Sequence, residues 1–131
     1  FILWNPREVM YKFTSTQADG GILTFNATHP KWSYAKIDNS GNVTEVAEKN
    51  PISNNATVGV YYWKKGMDYV SCAEEMIRKD LRVNGEFYVC PVYNQAIENN
   101  KRIVINEVDK MWGIGTPEDL ESFLSEYDGL I

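Results

Sequence analysis

The sequence predicts an α/β fold in which helices pack on a mixed β-sheet. Short runs rich in β-branched and aromatic residues alternate with segments of helical period, which is the pattern of such folds. Apolar residues make up 44% of the chain and charged residues 24%, as in ordinary globular domains. A length of 131 residues suits one core. We therefore expect a single domain over residues 1–131.

The first helix is predicted to begin at Asn5-Pro6, with Asn as the cap and Pro at the first helical position, and to end near Thr16. The sequence Asp19-Gly20-Gly21 is typical of a turn. The apolar run from Ile22 to Phe25 then predicts a buried strand.

Three further strands are predicted in the middle of the chain, from Trp32 to Ile37, from Val43 to Lys49 and from Thr57 to Trp63. The first two are joined by the turn at 38–41, and Asn50-Pro51 breaks the chain before the third.

The second half begins with a predicted helix from Met67 to Lys79, whose apolar stripe is Val70, Ala73 and Ile77 with Met76 beside it. A second helix is predicted from Phe87 to Ile97 and a strand from Arg102 to Asp109. Thr116 and Pro117 predict the start of a last helix. Its buried face is predicted to be Leu120, Phe123, Leu124 and Tyr127.

Charge and composition exclude several classes of protein. A net charge of -5 disfavours nucleic acid as a partner. No segment approaches the roughly 20 apolar residues of a membrane span, and no signal peptide is visible, so we expect no membrane association and a cytoplasmic location. Cys72 and Cys90, both within predicted helices, lack the neighbours of a zinc site and are interpreted as buried free thiols.

Several short motifs follow one another in a specific order. They are Tyr34-Ala35-Lys36, an Asp-x-x-Gly turn, Val46-Ala47-Glu48-Lys49, Val58-Gly59-Val60-Tyr61-Tyr62 and Gly115-Thr116-Pro117-Glu118-Asp119-Leu120. In this order they resemble the sugar-1-phosphate nucleotidyltransferases, such as glucose-1-phosphate thymidylyltransferase. The resemblance covers most of the chain from Ile22 to Leu124.

The resemblance implies the C-terminal part of a Rossmann-like nucleotide-diphospho-sugar transferase fold, here the sugar-phosphate-binding half. The family's Gly-rich loop, catalytic Lys and first metal-binding Asp belong to an N-terminal half that we do not find here, so no catalytic residue is assigned and the chain alone is expected to be inactive. The implied reaction joins a nucleoside triphosphate and a sugar 1-phosphate, with Mg²⁺, to make activated sugars for surface polysaccharides. The sequence leaves the oligomeric state open.

The resemblance assigns sugar binding to Glu48 and phosphate binding to Lys49. A carboxylate accepts hydrogen bonds from sugar hydroxyls, and an ammonium group suits a phosphate. Successive residues of a strand point to opposite sides, so both can serve one ligand only if the strand ends or bends there, and Asn50-Pro51 supplies the break. The other interpretation is a solvated strand end.

Tyr34 and Tyr61 also match positions that line the family's sugar site, and Gly59 is a further candidate for substrate binding. Gly59 lies within a strand, where a glycine marks either a close approach by another group or a bulge. Strand tyrosines also serve as half-buried packing residues. Tyr34-Ala35 departs from the family's more usual Tyr-Gly pair.

The position that holds the family's second metal-binding Asp is Gly113 in this chain, which has no ligand atoms in its side chain. Asp109, with Glu107 on the same predicted strand, is the candidate substitute for holding Mg²⁺ together with substrate phosphates. The alternative is that both acids line a wet strand face.

Two other functions stay open. One is a noncatalytic sugar-phosphate-binding or regulatory domain of the same fold. The other is a secreted, disulfide-linked glycoprotein, suggested by three Asn-x-Ser/Thr sequons and the two cysteines.

Overall fold

The computed structural model describes residues 1–127 and shows a mixed five-stranded sheet with helices on both faces. The strands of this sheet are β2 (Gly20–Asn26), β3 (Ser33–Ile37), β4 (Val43–Glu48), β5 (Asn55–Trp63) and β6 (Ile103–Glu107), in the order β4-β3-β5-β2-β6. Only β2 and β6 run parallel, and the other neighbours are antiparallel. The predicted α/β class with a mixed sheet is confirmed.

Four helices and a small ribbon complete the fold. The helices are α1 (Pro6–Ser15), α2 (Gly66–Arg78), α3 (Val92–Glu98) and α4 (Pro117–Tyr127). The ribbon pairs β1 (Ile2–Leu3) with β7 (Lys110–Met111) in antiparallel fashion. No helix among residues 1–127 is long and apolar enough to cross a membrane.

Two apolar clusters pack on opposite faces of the sheet. One, between the sheet and helices α2 and α3, contains Ile22, Val46, Met76 and Tyr93. The other lies under α1 and contains Val9, Phe13 and Leu23. Ile22 and Leu23 are neighbours on β2, and their side chains point to opposite faces of the sheet. Strand β2 therefore contributes to both clusters.

Two predicted elements differ from the structure. Gly20 and Gly21 belong to β2 instead of a turn, where they pair with β5 and β6. The ring of Phe13 lies within 2.6 Å of where a Cβ on Gly21 would sit, which accounts for the glycine there. The helix predicted from Phe87 begins only at Val92, since Pro91 cannot lie inside a helix. Cys90 therefore precedes this helix, although both cysteines are buried and free as predicted.

The predicted buried faces of two helices are only partly right, although on α2 Met76 is buried and Ala73 packs against the core as predicted. The buried residues of α2 are Cys72 and Met76, whereas Val70 and Ile77 are 42% and 53% exposed. Helix α4 has no buried residue, and Leu120 and Leu124 are exposed. Phe123 alone makes close aromatic contacts with the body, through Phe1 and Trp112.

Candidate functional site

Glu48 and Lys49 lie at a sharp change of direction at the end of β4. Glu48 is the last residue of the strand and pairs with Ser33 of β3. Lys49 has a φ of 55°, in the left-handed region that a residue other than glycine seldom adopts. Its backbone N–H donates to the carbonyl oxygen of Trp32 at 3.0 Å. The chain therefore bends at Glu48 and Lys49, which is the condition for both side chains to contact one ligand.

The Lys49 side chain is exposed and is held by Tyr88. Its Nζ donates to the Tyr88 hydroxyl at 2.9 Å and lies 5.0 Å from the centre of that ring. The hydroxyl of Tyr88 in turn donates to Oε2 of Glu86 at 2.7 Å. The hydrogen bond with Tyr88 raises the pKa of Lys49, so the ammonium group stays charged at neutral pH.

Glu48 is half-buried and is fixed by one serine. The Ser33 hydroxyl donates to Oε2 of Glu48 at 2.5 Å. Ser33 itself is 9% exposed. A carboxylate has two acceptor oxygens, so this contact leaves the second oxygen for a donor from outside the protein.

Tyr61 lies beside this pair in a group of hydroxyls. Its oxygen is 3.0 Å from the Thr57 hydroxyl, and its ring centre lies 5.9 Å from that of Tyr93. Burial raises the pKa of Tyr61, while hydrogen bonds with Thr57 and Ser33 partly oppose this rise. Burial likewise raises the pKa of the neighbouring Cys90 thiol to about 12, so this cysteine is a neutral packing group.

Tyr34 and Gly59 take structural places. Tyr34 is fully buried, and its hydroxyl donates to the His29 carbonyl oxygen at 2.5 Å, so its side chain is out of reach of a ligand in this conformation. Gly59 has a φ of 88° and lies in a bulge, where the register between β2 and β5 shifts beyond Ile22 and Tyr61. No atom lies within 4 Å of a Cβ built on Gly59, so the bulge explains the glycine and leaves the adjacent surface open.

Trp32 connects the end of β4 to the turn that contains Gly113. Its carbonyl oxygen binds the Lys49 amide, and its ring lies 3.3 Å from a Cβ built on Gly113. The carboxylate of Asp119 is 3.2 Å from the same point, and it pairs with Lys31 at 3.0 Å. A cavity of about 300 Å³ lies here, lined by Lys31, Trp32, Gly113 and Asp119 among others.

The metal candidates Glu107 and Asp109 lie in a different place. They line a cavity of about 160 Å³ together with Glu8 and two asparagines, Asn5 and Asn106. Such oxygen donors are the ligands that Mg²⁺ prefers. Within the described 127 residues, however, no three acidic, His or Cys side chains are grouped to hold a metal on their own. The residues fit only an ion that also takes substrate phosphate and water.

We compared this architecture with known proteins. No protein-family model matches the chain, and a search of curated proteins gives no match. A nucleoside-diphosphate-sugar pyrophosphorylase from Vibrio cholerae RC9 superposes over 86% of the chain with a TM-score of 0.77 and 28% sequence identity. The chain has the fold of the nucleotide-sugar pyrophosphorylases. The resemblance found in the sequence is thereby confirmed.

Two further solved structures share this fold. A UDP-glucose pyrophosphorylase complexed with UDP-glucose covers 94% of the chain at a TM-score of 0.71 and 16% identity. A CMP-2-keto-3-deoxy-manno-octonic acid synthetase complexed with CTP covers 98% at 0.62 and 14% identity. The chain spans 49%, 49% and 58% of these three structures, so it corresponds to about half of a pyrophosphorylase fold.

Sequence reasoning missed several residues of this region. Ser33, Trp32 and Tyr88 contact Glu48, Lys49 or the Gly113 turn, yet nothing in their local sequence marks them. The hairpin turn at 38–41 brings Ser33 near the end of β4, but its pairing with Glu48 depends on a register shift between Lys36 and Ile37 that the turn does not predict.

Proposed function

We propose that this chain supplies sugar-phosphate recognition to a nucleotidyltransferase that transfers a nucleoside monophosphate from a nucleoside triphosphate to a sugar 1-phosphate. The observation that carries the proposal is the end of β4. There a fixed carboxylate and a charged ammonium group follow each other on a chain that bends between strand and loop. Sugar hydroxyls donate hydrogen bonds to the carboxylate of Glu48, and the sugar phosphate pairs with the ammonium group of Lys49.

The reaction is a phosphoryl substitution. An oxygen of the sugar phosphate attacks the α-phosphorus of the triphosphate, the bond from this phosphorus to the bridging oxygen of the β-phosphate breaks, and pyrophosphate leaves with the electron pair. Such a step depends on positioning and on neutralisation of negative charge. This chain's contribution is to hold the sugar phosphate with its oxygen facing the triphosphate.

Mg²⁺ is part of the proposal. When bound, it neutralises the triphosphate and the leaving pyrophosphate. Asp109, with Glu107 beside it, is the carboxylate of this chain that we assign to it, and the remaining ligands come from phosphates, water and the rest of the enzyme.

The proposed partner is the other half of the fold, which carries the triphosphate site. Strand β5 pairs with β3 at a single position, Tyr34 with Ala56, so within the described residues its outer edge from 58 to 63 has no strand beside it. Exposed apolar residues are also present, namely Phe1, Val60, Ile114, Leu120 and Leu124. An open strand edge and such side chains support packing against further polypeptide. We place the enzyme in the cytoplasm, in the synthesis of surface polysaccharides.

Titration calorimetry of the chain with aldose 1-phosphates tests the proposal. We expect binding by the wild type, and a loss of about 1.5 to 3 kcal/mol for Glu48→Ala or Lys49→Ala, because each removes a charge-assisted contact. Lys36→Ala, an exposed lysine on β3, is the matched control and should bind as the wild type does. Equal affinity of all four proteins would contradict the proposal and would favour the interpretation of Glu48 and Lys49 as a solvated strand end.

A noncatalytic sugar-phosphate-binding domain is the second candidate. Gly113 favours it, since the carboxylate beside that turn, Asp119, is already paired with Lys31. Pyrophosphate release by the whole enzyme, from triphosphate and sugar 1-phosphate with Mg²⁺, separates the two functions. The chain alone should bind and release no pyrophosphate, and release by the chain alone would refute the need for another half.

A further inference from the structure

A row of polar side chains crosses the sheet next to Glu48. The register pairs Glu48 with Ser33, and it pairs Tyr34 with Ala56, which sets Ser33 level with Thr57. Thr57 pairs with Thr24 of β2. Residues directly opposite each other share a face of the sheet, so these four side chains lie on one face.

This face is the one that carries the larger apolar cluster. Ala35 and Val46 belong to that cluster and lie two residues from Ser33 and Glu48, and the side chains of a strand alternate with a period of two. The row therefore lies at the border of the apolar cluster, where the side chains on this face carry hydroxyl and carboxyl groups. Thr57 and Thr24 are buried, at 4% and 1% exposed, while Glu48 at the end of the row is half-buried.

Ser33 is the link between this buried row and the carboxylate. Its single hydroxyl proton goes to Oε2 of Glu48, at 2.5 Å. Nearby in the same region, the Tyr61 hydroxyl lies 3.0 Å from the Thr57 hydroxyl. Hydrogen bonds to a carboxylate are among the stronger ones in proteins. One oxygen of Glu48 is thus held from the protein side.

We infer that Ser33 is a positioning residue of the sugar site, and that it sets the specificity of Glu48 for ligands that donate a hydroxyl. This inference rests on the proposed function. An ionised carboxylate only accepts hydrogen bonds. Because Ser33 holds Oε2 and so fixes the orientation of the carboxylate, the other oxygen accepts a hydrogen bond only from a sugar hydroxyl at one position. A ligand with hydrogen or an ether oxygen in place of that hydroxyl leaves the carboxylate desolvated and unpaired, which disfavours its binding.

Titrations of the wild type and of Ser33 variants with two kinds of ligand test this inference. The sugar ligands are the 1-phosphates of glucose, galactose, mannose and N-acetylglucosamine, followed by monodeoxy forms of whichever binds tightest. Inorganic phosphate is the second ligand, because it engages Lys49 without a sugar. We expect Ser33→Ala to raise the Kd of the preferred sugar phosphate about tenfold, which is the loss of one charge-assisted contact, and to leave the Kd of phosphate unchanged.

Coupling with Glu48 separates positioning from a general structural effect. Since Ser33 acts through Glu48, Ser33→Ala should add little to Glu48→Gln in the double variant. Ser33→Thr keeps the hydroxyl and should restore most of the affinity, and Ser33→Ala should reduce the discrimination against one deoxy sugar. Ser125→Ala, whose hydroxyl contacts only the α4 backbone at Ser122, is the matched control.

The outcomes distinguish this inference from the proposed function. If the wild type binds sugar phosphates and depends on Glu48, but Ser33→Ala keeps both affinity and discrimination, the role of Ser33 is refuted and the proposed function stands. If Ser33→Ala weakens phosphate and sugar phosphate equally, its effect is structural and the inference again fails. If the wild type binds no sugar phosphate, the proposed function fails first and this inference with it.

Discussion

The carboxylate of Asp119 lies 3.2 Å from the point that a Cβ on Gly113 would occupy. An aspartate at position 113 would therefore point at a carboxylate that is already present, and its Cβ would also press on the ring of Trp32 at 3.3 Å. Lys31 neutralises Asp119 from the other side. A side chain at position 113 would therefore crowd both neighbours, independently of any metal.

Gly113→Asp should accordingly destabilise the chain, on the order of 1 to 3 kcal/mol by crowding, with repulsion between carboxylates added. Urea unfolding measures the effect, and the repulsive part should shrink at a pH below the range in which carboxylates ionise. Gly115→Asp is the matched control, because nothing lies within 4 Å of a Cβ at Gly115. Equal stability of the two variants would contradict this account.

The pair of Lys31 and Asp119 predicts a pH dependence of folding. The hydrogen bond from Lys31 lowers the pKa of Asp119, so the folded state favours the ionised form. The resulting stability is present above the ordinary aspartate pKa and is lost as the pH falls through the lowered value. Thermal unfolding from pH 7 to pH 2 should therefore show a gap between wild type and Asp119→Asn that closes toward acid. A gap of constant size would contradict the assignment.

Gly21 should tolerate no side chain. A Cβ there would lie 2.6 to 2.7 Å from atoms of the Phe13 ring, which is 2% exposed and stacks on Tyr62. Gly21→Ala should cost about 1 to 3 kcal/mol in urea unfolding, as overpacking of a filled core does. Gly66→Ala, at the open start of α2, has no neighbour within 4 Å and should be neutral or slightly stabilising.

Local patterns predicted most elements to within one or two residues, because period and turn residues are local signals. The helix predicted at 87–97 begins only at Val92 because of Pro91, a local signal that was visible in the sequence. The predicted stripe of α2 is right at Ala73 and Met76 and wrong at Val70 and Ile77, which are exposed, since only packing decides which residues face the sheet.

The candidate site divides in the same way. Glu48 and Lys49 could be found from motif order, and the break after them from Asn50-Pro51. Ser33, 15 residues before Glu48, and Tyr88, 39 residues after Lys49, reach the site only through the hairpin and the loop before α3. The hairpin turn indicates only roughly where Ser33 lies, because a register shift sets its partner, and the contact between Lys49 and Tyr88 leaves no signal in a single sequence.

Lys49 should show opposite effects on stability and binding. Its left-handed backbone disfavours any residue with a Cβ by roughly 1 to 2 kcal/mol, whereas glycine adopts it freely. Lys49→Gly should therefore be more stable to urea than Lys49→Ala, while both lose the ammonium group and bind sugar 1-phosphate equally poorly. If the alanine variant were as stable as the glycine variant, the backbone strain would be refuted; if both bound as tightly as the wild type, the phosphate role of Lys49 would be refuted.

Asp109 and Asp119 can be separated as metal ligands. Asp109 is exposed beside Glu107 in a cavity of about 160 Å³, whereas Asp119 already holds Lys31. Asp109→Asn should thus raise the Mg²⁺ concentration for half-maximal rate of the whole enzyme about tenfold, and Asp119→Asn should leave it unchanged. Mn²⁺ binding, followed by relaxation of water protons with triphosphate and sugar phosphate present, gives the same comparison without turnover. If only Asp119→Asn raised the Mg²⁺ requirement, Asp119, beside Gly113, would be the metal ligand instead of Asp109. No shift for either variant would mean that the ion is held by phosphates and by the other half of the fold, since one protein carboxylate with substrate oxygens is enough for Mg²⁺.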